Sequence, residues 1–206
     1  MATLDIEQML EGGVHRMSHV YRYSSVPVVR KENVAEHSWY VAFYAMLIGQ
    51  ALARDGHEVD FGLLLSRALV HDVDESHTGD FLTYIKYGHP GLKRALDETS
   101  AKMIRKIEED LNLRDSLMDF WTLAKADDIE GHIIRVVDLA RVASYVWEEI
   151  RMGNKHIAHI LPDCKSHVET FIRKYHDSPV TLYAHKVVVW IDSVFTQFKM
   201  DNLYVR

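Results

Sequence analysis

The chain has 206 residues, 48% of them apolar and 26% charged, with a net charge of −6. This is a globular balance that argues against a broad nucleic-acid or anionic-membrane surface. Its single cysteine, Cys164, excludes a disulfide framework and any cysteine-based zinc cluster. In chain order, the N-terminal MATLDIEQML lacks the basic region and apolar core of a signal peptide. Asn33, followed three residues later by Glu36, predicts a capped helix from about Val34 to Arg54. Its apolar stretch Tyr40–Ala53 suits a buried helix better than a membrane span of about 20 residues, and the expected location is the cytoplasm. Asp60 caps a second helix, Phe61 to about Ser76, which Gly79 ends. Gly79–His89 has no period and reads as a loop.

Pro90 then opens a helix carrying Leu92, Leu96, Met103, Ile107 and Leu111. A fourth runs from about Asp127 to Met152, with Gly153 and Asn154 as its stop. His156–Tyr175 and Pro179–Met200 are the last two, with Ser178 as a cap and Val187–Ile191 as core. Ten Gly and four Pro fall below the roughly 12% of an average chain. Long helices tolerate that scarcity better than many-stranded sheets do, so the expected class is all-α.

Thirteen histidines exceed what a core needs. A His-Asp dipeptide is weak by itself, since chance supplies about one in a chain of this composition. His176-Asp177, followed by Ser178-Pro179, reads as a helix end. His71-Asp72 differs in its surroundings: Leu63-Leu64-Leu65 and Ala68-Leu69-Val70 bury the helix up to it, and Glu75 follows at i+4 and i+3. An imidazole beside a carboxylate can hold a divalent ion, with a second carboxylate one turn on to act on water. A solvated acidic helix end is the plainer alternative. His37 lies in the first turns of an apolar helix, where core packing is the favoured explanation of a lone histidine. Asp138 sits mid-helix among Val136, Val137, Leu139 and Ala140 and must be paired or ligate a metal, with Arg135 and Arg141 as candidate partners. Asp127 and Asp128 are explained by capping.

The runs RYSSVPVVRKENVAEHSWYVA, ALVHDVDESHTGDFLTYIKY and VVDLARVASYVWEEIRMGN together resemble the HD-domain metal-dependent phosphohydrolases, most closely the branch containing the bacterial 5′-deoxynucleotidase YfbR. The resemblance spans roughly residues 14 to 175. It implies a helical bundle of about six to eight helices, forming one domain over residues 1–206 with 176–206 as a C-terminal helical extension. It further implies one divalent ion (Co, Mn, Zn, Fe or Mg) on His37, His71, Asp72 and Asp138, a mixed N/O set that suits such metals. Glu75 matches the catalytic carboxylate that acts on water, and Asp80 matches the residue serving the leaving oxygen or the sugar. Arg22 matches the phosphate-binding arginine, and Lys86 is a second phosphate contact. Tyr23 stands where the family has a Trp that excludes a ribose 2′-hydroxyl. His77 replaces an apolar residue.

The expected activity is hydrolysis of a 2′-deoxynucleoside 5′-monophosphate to deoxynucleoside and phosphate. Alternatives are a dNTP triphosphohydrolase using Arg30, Lys31 and Lys86 on the polyphosphate, a two-metal phosphodiesterase drawing on His77 and His89 or His132, and a nucleotide-binding module without turnover. The expected partners are a nucleotide and a second copy of the chain in a homodimer, with no nucleic-acid polymer and no membrane.

Overall fold

The computed structural model describes residues 3–81, 90–113 and 116–203. Among these the architecture is all-α, and the only β-type pairing is an isolated bridge between Tyr21 and Asn33. Helix α1 (Ile6–Glu11) and a 3-10 turn (Gly13–Ser18) precede α2 (Val34–Arg54), α3 (Phe61–Val70) and α4 (Glu75–Thr78). Then come α5 (Pro90–Leu111), α6 (Ser116–Thr122), α7 (Ile129–Arg151), a 3-10 turn (Lys155–His159), α8 (Ile160–Lys174) and α9 (Thr181–Leu203).

Helix α2 starts at Val34 because Asn33 is extended and its Oδ1 accepts from the Glu36 amide at 2.8 Å. The Glu36 carboxylate pairs with Arg30 rather than reaching back in a reciprocal box. Val34, Val41, Ala45 and Leu52 form a buried stripe at helical spacing. Gly49 lets α3 approach, since a Cβ there would lie 2.9 Å from Leu64 Cδ2.

The helix expected from Phe61 to Ser76 is broken. Asp60 caps it, accepting from Leu63 N at 2.9 Å, but α3 stops at Val70. Residues 71–76 turn through i−3 bonds, Val73 N to Val70 O (3.0 Å), Glu75 N to Asp72 O (3.1 Å) and Ser76 N to Val73 O (3.2 Å). Side chains compete for the local carbonyls: His71 Nδ1 takes Ala68 O at 2.8 Å and Ser76 Oγ takes Val73 O at 2.7 Å. Buried Asp74 anchors the turn, accepting from Ser100 Oγ (2.6 Å) and Trp121 Nε1 (3.0 Å). Gly79, at φ +79°, then ends α4.

Further along, Asp128 caps α7 as expected, accepting from Gly131 N at 2.8 Å. A 3-10 turn replaces the start of the helix expected at His156, and α9 begins at Thr181, two residues after Pro179. Of the Val187–Ile191 run, Ile191 is buried but Val189 is 68% exposed, so the run presents one face only to the core. The short α1 and α6 have no buried residues, and their single i, i+3, i+4 apolar sets (Ile6, Met9, Leu10 and Leu117, Phe120, Trp121) span too few turns to predict them.

Three buried clusters hold the helices. One joins Val41, Ala45 and Leu52 of α2 with Leu64 and Ala68 of α3, Ile133 and Val137 of α7, Phe171 of α8 and Ala184 of α9. A second joins Tyr145 and Val146 of α7, Leu161 of α8 and Ile191 of α9. The third packs Met17, Val34 and Val73 against Ile104 and Ile107 of α5, directly around the His71–Asp74 turn. Each fully buried Ile or Leu contributes roughly 1.5–3 kcal/mol, so the turn is fixed from two sides.

Candidate metal centre

Three helices, the turn after α3 and the loop before α2 supply the site. His37 comes from the first turns of α2, His71 and Asp72 from the broken turn after α3, Glu75 from the first residue of α4, and Asp138 from the middle of α7. Arg22 and Tyr23 sit on the loop before α2, which is tied back by Arg22 N to Glu32 O (2.9 Å) and Val34 N to Val20 O (3.0 Å). Its outer part is pinned to the end of α7. Glu149 accepts from the amides of Val29 and Arg30, both at 2.7 Å, Asn154 Nδ2 donates to Pro27 O at 2.8 Å, and Tyr145 OH donates to Arg30 O at 2.5 Å. Tyr23 lies at φ 60°, a left-handed conformation costing a non-glycine residue about 1–3 kcal/mol. Its ring stacks on Tyr145 with centroids 4.7 Å apart, and its amide donates to Asp80 Oδ2 at 3.3 Å.

Ligating atoms of His37, His71 and Asp72 all lie within 4.8 Å of one another. Both histidines are buried, and the rings are 5.4 Å apart. His71 Nδ1 donates to Ala68 O, leaving its buried Nε2 with no hydrogen-bond partner, 3.1 Å from Asp72 Oδ2. His37 Nε2 is 3.7 Å from Asp72 Oδ2 and 3.1 Å from Asp138 Oδ1. Two imidazoles and a carboxylate converging with an unbonded ring nitrogen fit a divalent first-row cation. Asp138 stands beside this trio, with its second oxygen held by Lys125 Nζ at 2.5 Å.

The electrostatics follow from burial and from crowded charge. Arg22 NH1 lies 3.2 Å from Asp72 Oδ2 and 4.0 Å from Glu75 Oε2. Burial, reinforced by the Arg22 charge, pushes His37 down to about 4. Burial alone would raise Asp72, but the neighbouring His71 ring and the Lys125 charge together outweigh it and hold the carboxyl below its ordinary range. Burial also raises Glu75, the Asp72 charge adds to it, and Arg22 only partly offsets both, so this carboxyl sits well above the usual range. Carboxylates outnumber cations here, an arrangement that attracts a metal ion.

All the expected site residues within the described part of the chain come together: Arg22, Tyr23, His37, His71, Asp72, Glu75, Asp80 and Asp138. Lys86, with His89, lies outside the described residues. Several secondary expectations fall. Asp138 pairs with Lys125 and His37, not with Arg135 or Arg141. Arg135 instead donates to Lys125 O, and Arg141 joins Glu32 and Glu148. Arg30 is committed to Glu36 and Glu148, and Lys31 lies over the Tyr21 ring, 5.1 Å from its centroid. His132, in the first turn of α7, is bound to Ser178, and His77 pairs with Ser76 Oγ and packs on Gly13. Lys125 and Glu32 escape a sequence reading because nothing in LAKADD or KEN marks a lysine or glutamate as turned inward.

A family model described as 5′-deoxynucleotidase YfbR-like matches residues 12–189. The 5′-deoxynucleotidase of Vibrio cholerae is 26% identical over 171 residues, covering 82% of this chain and 86% of the relative. A dATP triphosphohydrolase of Salmonella phage PMBT28 is 36% identical over 88 residues, covering 40% of this chain and 45% of the relative. Among solved structures, the cyanophage S-2L HD phosphohydrolase DatZ, bound to dA and one catalytic Zn²⁺, superposes with a TM-score of 0.54 at 21% identity over 93% of this chain and 95% of that one. The likeness to DatZ is one of fold, and the family match covers the broken turn, the pinned loop and the middle of α7 that build the site. On that match the chain belongs to the 5′-deoxynucleotidase YfbR-like family.

Proposed function

We propose that this chain is a divalent-metal-dependent phosphohydrolase that converts a 2′-deoxynucleoside 5′-monophosphate and water to deoxynucleoside and phosphate. The observation that carries the reading is the convergence of buried His37 and His71 with Asp72, and Arg22 poised between Asp72 and Glu75. His37, His71, Asp72 and Asp138 hold the ion, which supplies Lewis acidity toward a phosphoryl oxygen. Arg22, whose buried Nε has no hydrogen-bond partner, donates to the phosphoryl oxygens as charge develops there. Glu75 takes the proton of the attacking water, a task suited to a carboxyl whose affinity for protons is raised by burial and by the Asp72 charge. Asp80, fixed against the Tyr23 amide, serves the leaving 5′-oxygen or the sugar hydroxyl. Tyr23, backed by Tyr145, offers the aromatic wall against the sugar, and Lys86 is a second phosphate contact.

The reading extends to one HD-type domain over residues 1–206, with 176–206 as a C-terminal helical extension, and to a cytoplasmic homodimer. Among the described residues no helix is long and apolar enough to cross a membrane. Exposed Trp39, Phe43 and Leu47 line one face of α2 and suit a partner copy. Sedimentation velocity tests the dimer.

The similarity to a dATP triphosphohydrolase over 88 residues favours a second reading, release of tripolyphosphate from a dNTP. Arg30, already held by Glu36 and Glu148, weighs against it. The deciding experiment reloads metal-stripped protein with Co²⁺, Mn²⁺, Zn²⁺ or Mg²⁺ and resolves products from deoxy- and ribonucleoside mono- and triphosphates by anion exchange. Orthophosphate from dNMPs supports the first reading, and tripolyphosphate replaces it with the second. No product from any substrate removes both.

A further inference from the structure

Glu32 is fully buried two residues before α2, and Arg141 of α7 accounts for only one of its oxygens. Arg141 Nε donates to Glu32 Oε1 at 2.6 Å, while Arg141 NH1 goes on to Glu148 Oε1 at 2.8 Å. Glu32 Oε2 has no hydrogen-bond partner, a costly condition for a carboxylate oxygen away from water. Opposite it, 3.9 Å away, is His37 Nδ1, also buried and also without a partner. Thus two polar groups withdrawn from water face each other, and the ion pair with Arg141 explains neither.

The other nitrogen of His37 faces Asp72 and Asp138. To ligate a cation there, Nε2 must offer its lone pair, so the ring proton belongs on Nδ1. His71 has the same orientation by a different device, with Nδ1 on the Ala68 carbonyl. We propose that Glu32 is the positioning carboxylate of the metal centre: its Oε2 accepts the Nδ1 proton of His37, fixing the tautomer that turns Nε2 toward the metal, while Arg141 holds the carboxylate in place. This inference rests on the metal-site reading above.

The test is Co²⁺ binding to the metal-stripped full chain, read by calorimetry and by the visible absorption of the bound ion, with the melting temperature of the metal-free protein measured alongside. Glu32→Gln keeps an acceptor but loses the charge. The double variant Glu32→Leu/Arg141→Leu removes both buried charges together and so guards against a misfolded single mutant. Binding is expected to weaken about tenfold in the first and by roughly 10- to 100-fold in the second, with an altered absorption band. A purely structural Glu32 would lower the metal-free melting temperature and leave cobalt affinity unchanged. Wild-type affinity in both variants, with His37→Ala crippled, overturns the inference alone. If the wild type binds no cobalt, or His37→Ala binds as tightly as wild type, the metal-site reading falls and the inference falls with it.

Discussion

His71-Asp72 and His176-Asp177 are the same dipeptide, with His Nε2 at 3.1 Å from Asp Oδ2 in both. In the first, the side chains are 0% and 17% exposed; in the second, 74% and 92%. The surface pair terminates α8 and can hydrate freely. The buried pair cannot, and so it is surrounded by what buried charge requires: a second imidazole, Arg22, Asp138 and Lys125. The chemistry belongs to the surroundings of the dipeptide.

Paired substitutions break this comparison most directly. His71→Ala is expected to lower metal-dependent hydrolysis by about 10³-fold or more, because the ligand set and its electrostatic stabilisation go together. His176→Ala leaves the rate within about twofold, the expectation for an exposed group away from the site. Steady-state rates at saturating Co²⁺ measure both, and equal losses in the two variants would remove the distinction.

Arginine sharpens it next. Arg22→Ala should cost about 10²- to 10³-fold in kcat/KM for a dNMP, the scale of losing one oriented donor to a developing charge. Arg22→Lys should recover only part, since an ammonium cannot reproduce the fork. Arg173→Ala, which removes an exposed guanidinium of α8 bonded to Thr170 Oγ1 at 2.8 Å, should leave kcat/KM unchanged.

A third test concerns what holds the arginine loop. Burial alone would raise Glu149, but hydrogen bonds from Asn154 and from the amides of Val29 and Arg30 outweigh it and hold the carboxyl below its ordinary value. A depressed folded-state value stabilises the protein above the unfolded carboxyl range, near pH 4.3 and up. That contribution disappears as pH falls through the lower folded value. Glu149→Gln is therefore expected to destabilise by about 1–3 kcal/mol at pH 7. The gap to wild type should close on acidification below about pH 4 in denaturant titrations. A gap independent of pH would assign the effect to shape and not charge.

Much of this is legible in the sequence. The Asn33, Asp60 and Asp128 caps located three helix starts because a short polar side chain before an apolar period has one job there. The candidate ligands are legible because they sit in motif runs. The break after Val70 was not, since His71, Asp72 and Asp74 all tolerate a helix and only the bonds to Ala68, Ser100 and Trp121 show why the turn forms. The attachment of the 20–33 loop to α7 was also hidden. Glu149 and Asn154 read as ordinary helix-end residues, and their partners lie about 120 positions away in sequence.

The smallest expected effect has the opposite sign from the others. Lys125 Nζ sits 2.5 Å from Asp138 Oδ2, with its own side chain 40% exposed, so it competes with any cation that would use Asp138. Such a partly exposed pair contributes roughly 0.2–1 kcal/mol. Lys125→Met should therefore tighten Co²⁺ binding by about one and a half- to fivefold while slightly lowering the stability of the metal-free protein. The gain should shrink at 0.5 M salt, which screens the competing charge. Weaker binding in this variant would instead make Lys125 a supporter of the centre, since a lysine that merely neutralised Asp138 could not help a second cation to bind.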